Sequence, residues 1–450
     1  MGVRVVLVGV LCVVRAATVA AGEPRVYDLG ECIHAALASN ADLSAAAADL
    51  AGARARLAEA QAGRFGNSEY NQVLGFVNEA RGNPVSSPDN KNALLSGLGP
   101  FTRLDLEINI PLWTFGKLDA ALAAAQGGLE SERARGAAKR ADVVLNTKQL
   151  YYGLLLARQL SAVLHDMLDT LDKAVKTSQE RLDTGSKDVT EIDVLKLRIG
   201  RAKFAKGVVE VDASMALTRS ALARAIGAGE MDFDIADRRL EPTIATVAPL
   251  DTYLTTGANA RPESEQLRTG LAAQSAKVNL EEASYYPTLF FGTGLQFAHA
   301  NNRTEQTNPF ASDDFNYVRP IGVVGLHWDL NFFMTAAKVE EARAELDRLQ
   351  AQQRDAATGL ALEIRRAYSD VLQARDTMTA AEDGRRAGRA LLILTISNFD
   401  LGIGEAEELF KGLGSYTEAS TDYLRAVHDY NVSLGVLSRS IGKEITTLQY

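Results

Sequence analysis

Two long stretches of the chain carry apolar side chains at the spacing of a helix. No proline occurs between Pro111 and Pro242 or after Pro320, and both stretches are rich in strong helix formers. The apolar residues follow one narrow line in each stretch, at Leu164, Leu168, Leu171, Val175 and Leu182 in the first and at Val339, Ala342, Leu346 and Leu349 in the second. So narrow a line is typical of coiled coils rather than of compact globular helices.

A glycine interrupts each helical stretch once, Gly185 in the first and Gly402 in the second. Glycine at the end of a helical pattern predicts a helix terminus followed by a turn. We therefore predict two helical hairpins, over residues 117–226 and 335–442. The longest arm, residues 117–183, would extend about 100 Å at a rise of about 1.5 Å per residue. No compact domain has a core of that length, so the chain is predicted to build an elongated helical wall.

Apolar and polar residues alternate in shorter segments that lie between the helical stretches. Alternation with a period of two predicts strands, and we place four of them at about residues 68–78, 102–113, 288–299 and 320–332. Their length and their one-sided charge suit an outer-membrane barrel, although a half-buried soluble sheet gives the same alternation. Four strands cannot close such a barrel, since the smallest have about eight, so the chain is predicted to oligomerise.

The whole pattern occurs twice along the chain. Gly185 and Gly402 are 217 residues apart, and upstream Leu29 matches Leu250 at an offset of 221. Each copy reads as a helix, two strands and a long helical hairpin, which indicates a tandem duplication of about 220 residues. We predict a signal peptide at residues 1–22, a first repeat at 23–249 and a second repeat at 250–450. The first repeat starts with a helix at 29–64 and ends in a linker.

The first 22 residues and the composition restrict the compartment and the partners. Arg4 precedes the apolar run Val5–Val14, and small residues at 16–22 suit cleavage of an export signal. Basic side chains number 48 against 57 acidic ones, and the net charge of −9 argues against binding of nucleic acid. The only cysteines are Cys12 and Cys32, so a disulfide framework and a cysteine-based metal site are excluded.

Three segments carry a family resemblance, namely ALASNADL in the first helix, INIPLWTFGKLDAA at the end of the second strand and RLDTGSKDVTEIDVL around the first turn. They resemble the TolC-like outer-membrane efflux protein family. The resemblance implies an α+β fold in which a homotrimer forms a twelve-strand barrel in outer-membrane lipid, continued by a long periplasmic α-helical barrel. It also implies a passive exit duct for a tripartite efflux pump or a type I secretion system. The partners would be a periplasmic adaptor and an inner-membrane transporter.

Two carboxylates are candidates for the periplasmic aperture of such a duct. Glu191 and Glu408 each follow a turn glycine by six residues. The resemblance implies that carboxylates near this position form a cation-selective ring, and an ordinary solvated helix residue is the alternative. Lys411 stands where the family commonly has a second acid.

The second turn also departs from the family in the residues that hold the aperture shut. Phe399 and Gly404 stand where the family often has a tyrosine and an arginine that form a polar lock. Either the resting pore is looser, or apolar packing by Phe399 and Phe410 at the aperture replaces this lock, and we predict the packing. Closure would then depend little on salt.

The turns carry candidate contacts for the periplasmic adaptor as well. The resemblance implies that the adaptor contacts four residues, Arg181, Leu182, Gly185 and Gly402, although hairpin geometry alone would require the two glycines. Nothing in the sequence indicates catalysis, a cofactor or a metal ion, since the five histidines are scattered and His327 with Asp329 is a weak pair. Two other classes stay open. One is a soluble periplasmic adaptor, which lacks lipid-type strands, and the other is a structural coiled-coil spacer, which needs no pore.

Overall fold

The fifteen secondary-structure elements of the described chain form two similar halves. The computed structural model describes residues 25–83, 97–186, 189–229 and 233–446, and the predicted export signal lies outside them. The first half contains β1 (Arg25–Tyr27), α1 (Leu29–Ser39), α2 (Ala41–Ala62), a short 3₁₀ turn (Gly63–Phe65), β2 (Asn67–Val77), β3 (Gly99–Trp113), α3 (Lys117–Asp183), α4 (Glu191–Ile226) and β4 (Phe233–Ile235). The second half contains α5 (Leu250–Ala260), α6 (Pro262–Ala283), β5 (Thr288–Ala300), β6 (Tyr317–His327), α7 (Phe332–Asp400) and α8 (Ala406–Ile441).

The frame of the molecule consists of two very long helices, α3 with 67 residues and α7 with 69. The bounds of α3 coincide with those that the proline-free pattern gives, whereas α7 begins at Phe332, three residues before the predicted start of the second hairpin. From the two turns, α4 and α8 return along α3 and α7 for 36 residues each. The helix α6 packs against both α3 and α7, and α2 packs on α3. The shorter helices therefore cover the length of the long helices that the return arms do not reach.

The single helix predicted at residues 29–64 is wrong, because the chain breaks into two helices at Asn40. The backbone of Asn40 is extended, and its side chain accepts a hydrogen bond from the Leu43 N–H at 3.1 Å, which caps α2. The second half breaks at Arg261, after which Pro262 occupies the first position of α6. Proline suits this position because its missing N–H would have no helical partner. Both halves thus begin with one helix of 11 and one of 22 residues.

Four antiparallel strands form the main sheet in the order β2-β3-β5-β6. The last strand covers Tyr317–His327 rather than the predicted 320–332. Its final residue is the partner of Thr288, where β5 begins, so the residues that follow have no neighbouring strand. There the chain leaves the sheet, and Trp328 Nε1 donates a hydrogen bond to the Tyr285 carbonyl at 3.0 Å.

A second, parallel sheet of two short strands ties the start of the described chain to the linker between the halves. The strand β1 pairs with β4 along its whole length. Beyond β4, the Tyr151 hydroxyl donates to the Asp237 carboxylate at 2.7 Å, and the Thr243 N–H donates to the Asn431 side chain at 2.8 Å. The linker is therefore fixed against α3 and α8. Strands of three residues are too short for a readable alternation, so the sequence does not predict this pairing.

Buried apolar side chains form three clusters along the helices. One surrounds Tyr151 and joins α1, α3 and α4 to β4, and another joins α5, α7 and α8 around Val371. The third lies at the hairpin turns, where Leu171, Leu197 and Leu413 are completely buried between α3, α4 and α8. No helix in the described part of the chain has an apolar run long enough to cross a bilayer.

Candidate functional site

The two faces of the four-stranded sheet differ in chemistry. The cross-strand register places apolar side chains from all four strands on one face, among them Leu74, Phe76, Leu104, Leu106, Ile108, Phe291, Leu295 and Val324. The opposite face carries Glu69, Asn71, Arg103, Asp105, Glu107, Asn109, Gln296 and Arg319. In the single chain the apolar face is open, with Leu74 73% and Val324 66% exposed. An apolar surface of this extent marks a region that contacts another molecule or a membrane.

Both edges of this sheet lack a partner strand within the described chain. The outermost strands are β2 and β6, and each has one neighbour. All adjacent strands are antiparallel, so β2 and β6 run in opposite directions. The β6 edge of one copy can therefore pair with the β2 edge of another in the same antiparallel pattern. Unpaired strand edges are ready templates for such pairing.

The two hairpin turns share one backbone arrangement. Gly185 ends the first long helix with φ 76°, and Gly402 ends the second with φ 75°. At the first turn the Ser186 N–H donates to the Arg181 carbonyl, and the Gly185 N–H donates to the Leu182 carbonyl, both at 3.0 Å. The second turn repeats both bonds in equivalent positions. Glycine adopts this left-handed backbone at little cost, so both glycines are required by the turns themselves.

Arg181 connects the first turn to the second. Its Nη2 donates to the Asp400 carbonyl at 2.9 Å, and its Nη1 donates to the Phe399 carbonyl at 3.3 Å. These carbonyls end α7, where the helix dipole places partial negative charge. Leu182 lies half-buried beside it. The guanidinium group that the resemblance assigns to an adaptor contact is thus engaged inside the chain, where it holds the two hairpins together.

The two aromatic residues near the second turn pack between helices of one chain. Phe399 is 6% exposed and belongs to the buried cluster at the turns. Phe410 is half-buried and lies edge-on to Phe204, with 6.4 Å between ring centroids. It rests on Gly200, where a Cβ would lie 2.6 Å from the ring, so a larger residue would displace it. Phe399 therefore packs inside one chain, and its place at an aperture stays a prediction.

An ionic bridge joins the two hairpins beside these aromatic residues. It was not predicted from the sequence. The Glu407 carboxylate of α8 accepts a hydrogen bond from Lys411 of the same helix at 2.9 Å and from Lys196 of α4 at 3.0 Å. The bonds from Lys411 and Lys196 lower the pKa of Glu407 to about 2. The spacing of Glu407 and Lys411 is readable from the sequence, but the approach of Lys196 depends on how the two hairpins pack.

Because of this bridge, we expect the turns to loosen as salt is added, whereas apolar packing alone predicts little dependence on salt. The charges of the bridge are exposed to solvent and are therefore screened at high ionic strength. Hydrogen exchange of the α4 and α8 amides near the turns should therefore speed up as NaCl is added. In Glu407→Gln, exchange should already be fast at low salt and should change little with NaCl. The pKa of Glu407 lies below its ordinary value, so the bridge is present above about pH 4.5 and is lost as the pH falls towards 2.

Glu418→Gln is the matched control, since Glu418 is an exposed carboxylate of the same helix away from the bridge. It should keep the salt response of the unmodified chain. Equal salt responses in Glu407→Gln and the unmodified chain would contradict the bridge.

Glu191 and Glu408 both lie in the first turn of a return helix, Glu191 as the first residue of α4 and Glu408 as the third of α8. Both carboxylates are exposed. Close by, the Gly404 N–H donates to the Asn398 carbonyl at 3.0 Å, and a Cβ on Gly404 would lie 2.9 Å from the Phe399 nitrogen. Glycine is therefore required at this position by close approach of the backbone.

The described part of the chain contains no group of three or more side chains that could hold a metal ion. His327 Nε2 lies 3.5 Å from Asp329 Oδ1, and both side chains are largely exposed. The pair has no third ligand near it and resembles an ordinary surface contact.

The sheet, its loops and the long hairpins together match a known family. The family model described as outer membrane efflux protein matches residues 102–228 and 258–443, which is well over half of the chain. The chain belongs to the outer membrane efflux protein family. The matched ranges include most of β3, all of β5 and β6, and both helical hairpins.

Curated members of the efflux family are distant in sequence. The chain is 27% identical over 258 residues to the multidrug resistance outer membrane protein MdtP of Escherichia coli (strain K12), a match that covers 55% of this chain and 51% of MdtP. It is 24% identical over 312 residues to protein CyaE of Bordetella pertussis (strain Tohama I), covering 68% and 64% of the two chains. The chain thus spans about half the length of MdtP.

Solved structures share the fold over almost the whole chain. The outer-membrane channel OprN superposes with a TM-score of 0.74 at 18% identity, covering 92% of this chain and 89% of OprN. VceC of Vibrio cholerae gives 0.73 at 18% identity, covering 93% and 96%. The open state of the MtrE channel of Neisseria gonorrhoeae gives 0.74 at 15% identity, covering 93% and 89%. At these identities the similarity shows that this efflux family member has the fold of those channels.

Proposed function

We propose that this chain is the outer-membrane exit duct of a tripartite efflux pump or a type I secretion system, and that it works as a homotrimer. The observation that carries the proposal is the four-stranded sheet, with its apolar face and its two open antiparallel edges. Three copies of four strands make twelve, an even number such as bacterial outer-membrane barrels have. The apolar face would then contact lipid, and the charged face would line a water-filled lumen.

The long helices supply the second half of the duct. A helix of 67 residues, such as α3, is about 100 Å long. Helices of this length, attached directly to strands in the outer membrane, would extend far into the periplasm and form an α-helical barrel in the trimer. The equivalent glycine turns and the equivalent pairs of short helices in the two halves support the tandem duplication over residues 23–249 and 250–450. Residues 1–22 would serve as the signal peptide.

The turns are the proposed contact surface for a periplasmic adaptor. Leu401 and Ile403 flank Gly402 and are 74% and 75% exposed, which leaves apolar side chains free at the tip. Leu182 and Gly185 complete this surface, whereas Arg181 acts by positioning α7 beside it. The multidrug resistance named for MdtP favours an efflux pump over protein secretion. The chain itself would do no chemistry, and an inner-membrane transporter would supply the energy.

We place the periplasmic aperture at the first turns of α4 and α8. Glu191 and Glu408 are exposed there, and three copies of each would give a ring of up to six carboxylates. Lys411 offsets little of this charge, because its ammonium group is engaged by Glu407. Gly404 keeps the second turn compact beside the ring of carboxylates. Phe410 supports the same turn by packing on α4.

Recording from planar bilayers tests both the duct and its aperture. The purified protein should form trimers and conduct ions, and its reversal potential in a salt gradient should show preference for cations. The double variant Glu191→Gln with Glu408→Gln should lose much of that preference, because the ring of charge is gone. Glu210→Gln, an exposed carboxylate 19 residues further along α4, should leave the preference unchanged. A protein that never conducts would contradict the duct, and an unchanged reversal potential in the double variant would place the aperture elsewhere.

A further inference from the structure

A cleft with an unusual concentration of arginine lies between α3, the linker after β4, α7 and α8. It has a volume of about 470 Å³. Arg158 of α3, Arg238 and Arg239 of the linker, and Arg385 of α7 line it, together with one carboxylate, Asp166. The chain as a whole carries a net charge of −9, so this local excess of positive charge does not follow from the general composition.

Two of the four guanidinium groups in the cleft have no carboxylate of their own. Arg158 and Arg238 both pair with Asp234, the middle residue of β4. Arg239 and Arg385 form no ion pair among the described residues. Arg385 is instead held over the ring of Tyr423, with 4.2 Å between Cζ and the ring centroid. The cleft therefore presents two positive groups, from the linker and from α7, that the chain does not neutralise.

Two buried polar atoms at the same cleft point to a ligand. Ser420 is 2% exposed, lines the cleft, and its hydroxyl makes no hydrogen bond among the described residues. The Arg385 Nε is shielded from solvent and is likewise unpaired there. A buried polar group without a partner costs about 1–3 kcal/mol. Both atoms can donate a hydrogen bond, so each suits an acceptor oxygen with negative charge.

We propose that this cleft binds a small oxyanion with more than one negative charge, of the phosphate or polycarboxylate class. The planar guanidinium group of arginine suits the oxygens of both classes, because it can donate two parallel hydrogen bonds. The Ser420 hydroxyl adds a third, uncharged donor. A ligand bound by Arg239 and Arg385 would link the linker between the halves to the second hairpin.

Calorimetric titration of the full chain in detergent tests the proposal, with sodium pyrophosphate and sodium citrate as separate probes in a chloride buffer. One saturable site per chain is expected for at least one probe, and the tighter probe identifies the ligand class. Arg385→Gln and Arg239→Gln should each weaken binding about tenfold or more, since each removes charged hydrogen bonds. Ser420→Ala should weaken it less, because it removes an uncharged donor.

Arg386→Gln is the matched control for Arg385→Gln. Arg386 is the next residue of α7, pairs with Glu382 and Asp383, and does not line the cleft. Its loss should change affinity less than twofold. Arg239 is exposed, so Arg239→Gln reports on binding even if Arg385→Gln disturbs folding. Absence of saturable heat with both probes, or equal weakening by Arg386→Gln and Arg239→Gln, would overturn the site.

Discussion

Lysine in place of Leu106 or Val324 is expected to remove most of the assembled protein from the outer membrane. Both residues lie on the apolar face of the sheet, in β3 and β6. A lysine that faces lipid near the bilayer midplane costs about 2–4 kcal/mol in a membrane strand. The cost is incurred three times in a trimer, once in each copy. Membrane fractionation and trimer yield on native gels measure the effect.

Val323→Lys is the control, because it adds the same charge one residue away. Val323 pairs with Gly292 and lies on the opposite face from Val324, beside the charged positions. In the proposed trimer that face meets water, so the trimer yield should stay near that of the unmodified chain. Equal losses for Val323→Lys and Val324→Lys would show that the sheet does not separate lipid from water.

Replacement of Phe399 by alanine is expected to loosen the hairpin turns and raise the resting conductance. The side chain is 6% exposed within the cluster that joins both hairpins. Truncation of a buried phenylalanine to alanine costs about 3–5 kcal/mol. Loss on this scale should let the turns separate, which hydrogen exchange of α4 and α8 and single-channel recording both detect.

Phe333→Ala provides the comparison within the same helix. Phe333 is the second residue of α7 and is 95% exposed in the single chain, far from the turns. Its removal should leave both the exchange rates at the turns and the resting conductance unchanged. If Phe399→Ala conducts like the unmodified chain, the cluster does not keep the duct closed.

Local patterns were sufficient to predict the long elements. The start and end of α3 follow from the lack of proline and from Gly185, because backbone restrictions act within a few residues. The strands follow from alternation, and β5 at Thr288–Ala300 lies within one residue of its predicted end. The end of β6 was misplaced because alternation continues to Phe332, whereas pairing stops where β5 begins. Strand length depends on the partner, which the pattern of one strand does not contain.

The contacts at the turns could not be predicted in the same way. Arg181 and Phe399 are 218 residues apart, and Lys196 and Glu407 are 211 residues apart. Nothing in the neighbourhood of either residue in the sequence specifies the other. The position of Phe399 near Gly402 is readable from the sequence, but its burial between α3, α4, α7 and α8 is not. The position of a residue relative to a turn is set by the nearby sequence, but the exposure of its side chain depends on the packing of both hairpins.

The two helix breaks reach the same backbone geometry by different means. Asn40 has φ −71° and ψ 124°, and Arg261 has φ −76° and ψ 128°. The first break is made by a side chain that caps its own helix. The side chain of Arg261 pairs with Glu263 of α6 at 3.0 Å and also reaches Glu363 of α7 at 2.8 Å and the Ser440 carbonyl of α8 at 3.3 Å. During synthesis, α1 and α2 can therefore take their final angle at once. The contacts of Arg261 with α7 and α8 can form only after the last hairpin has emerged, so the C-terminal helix completes the set of bonds that holds the second break.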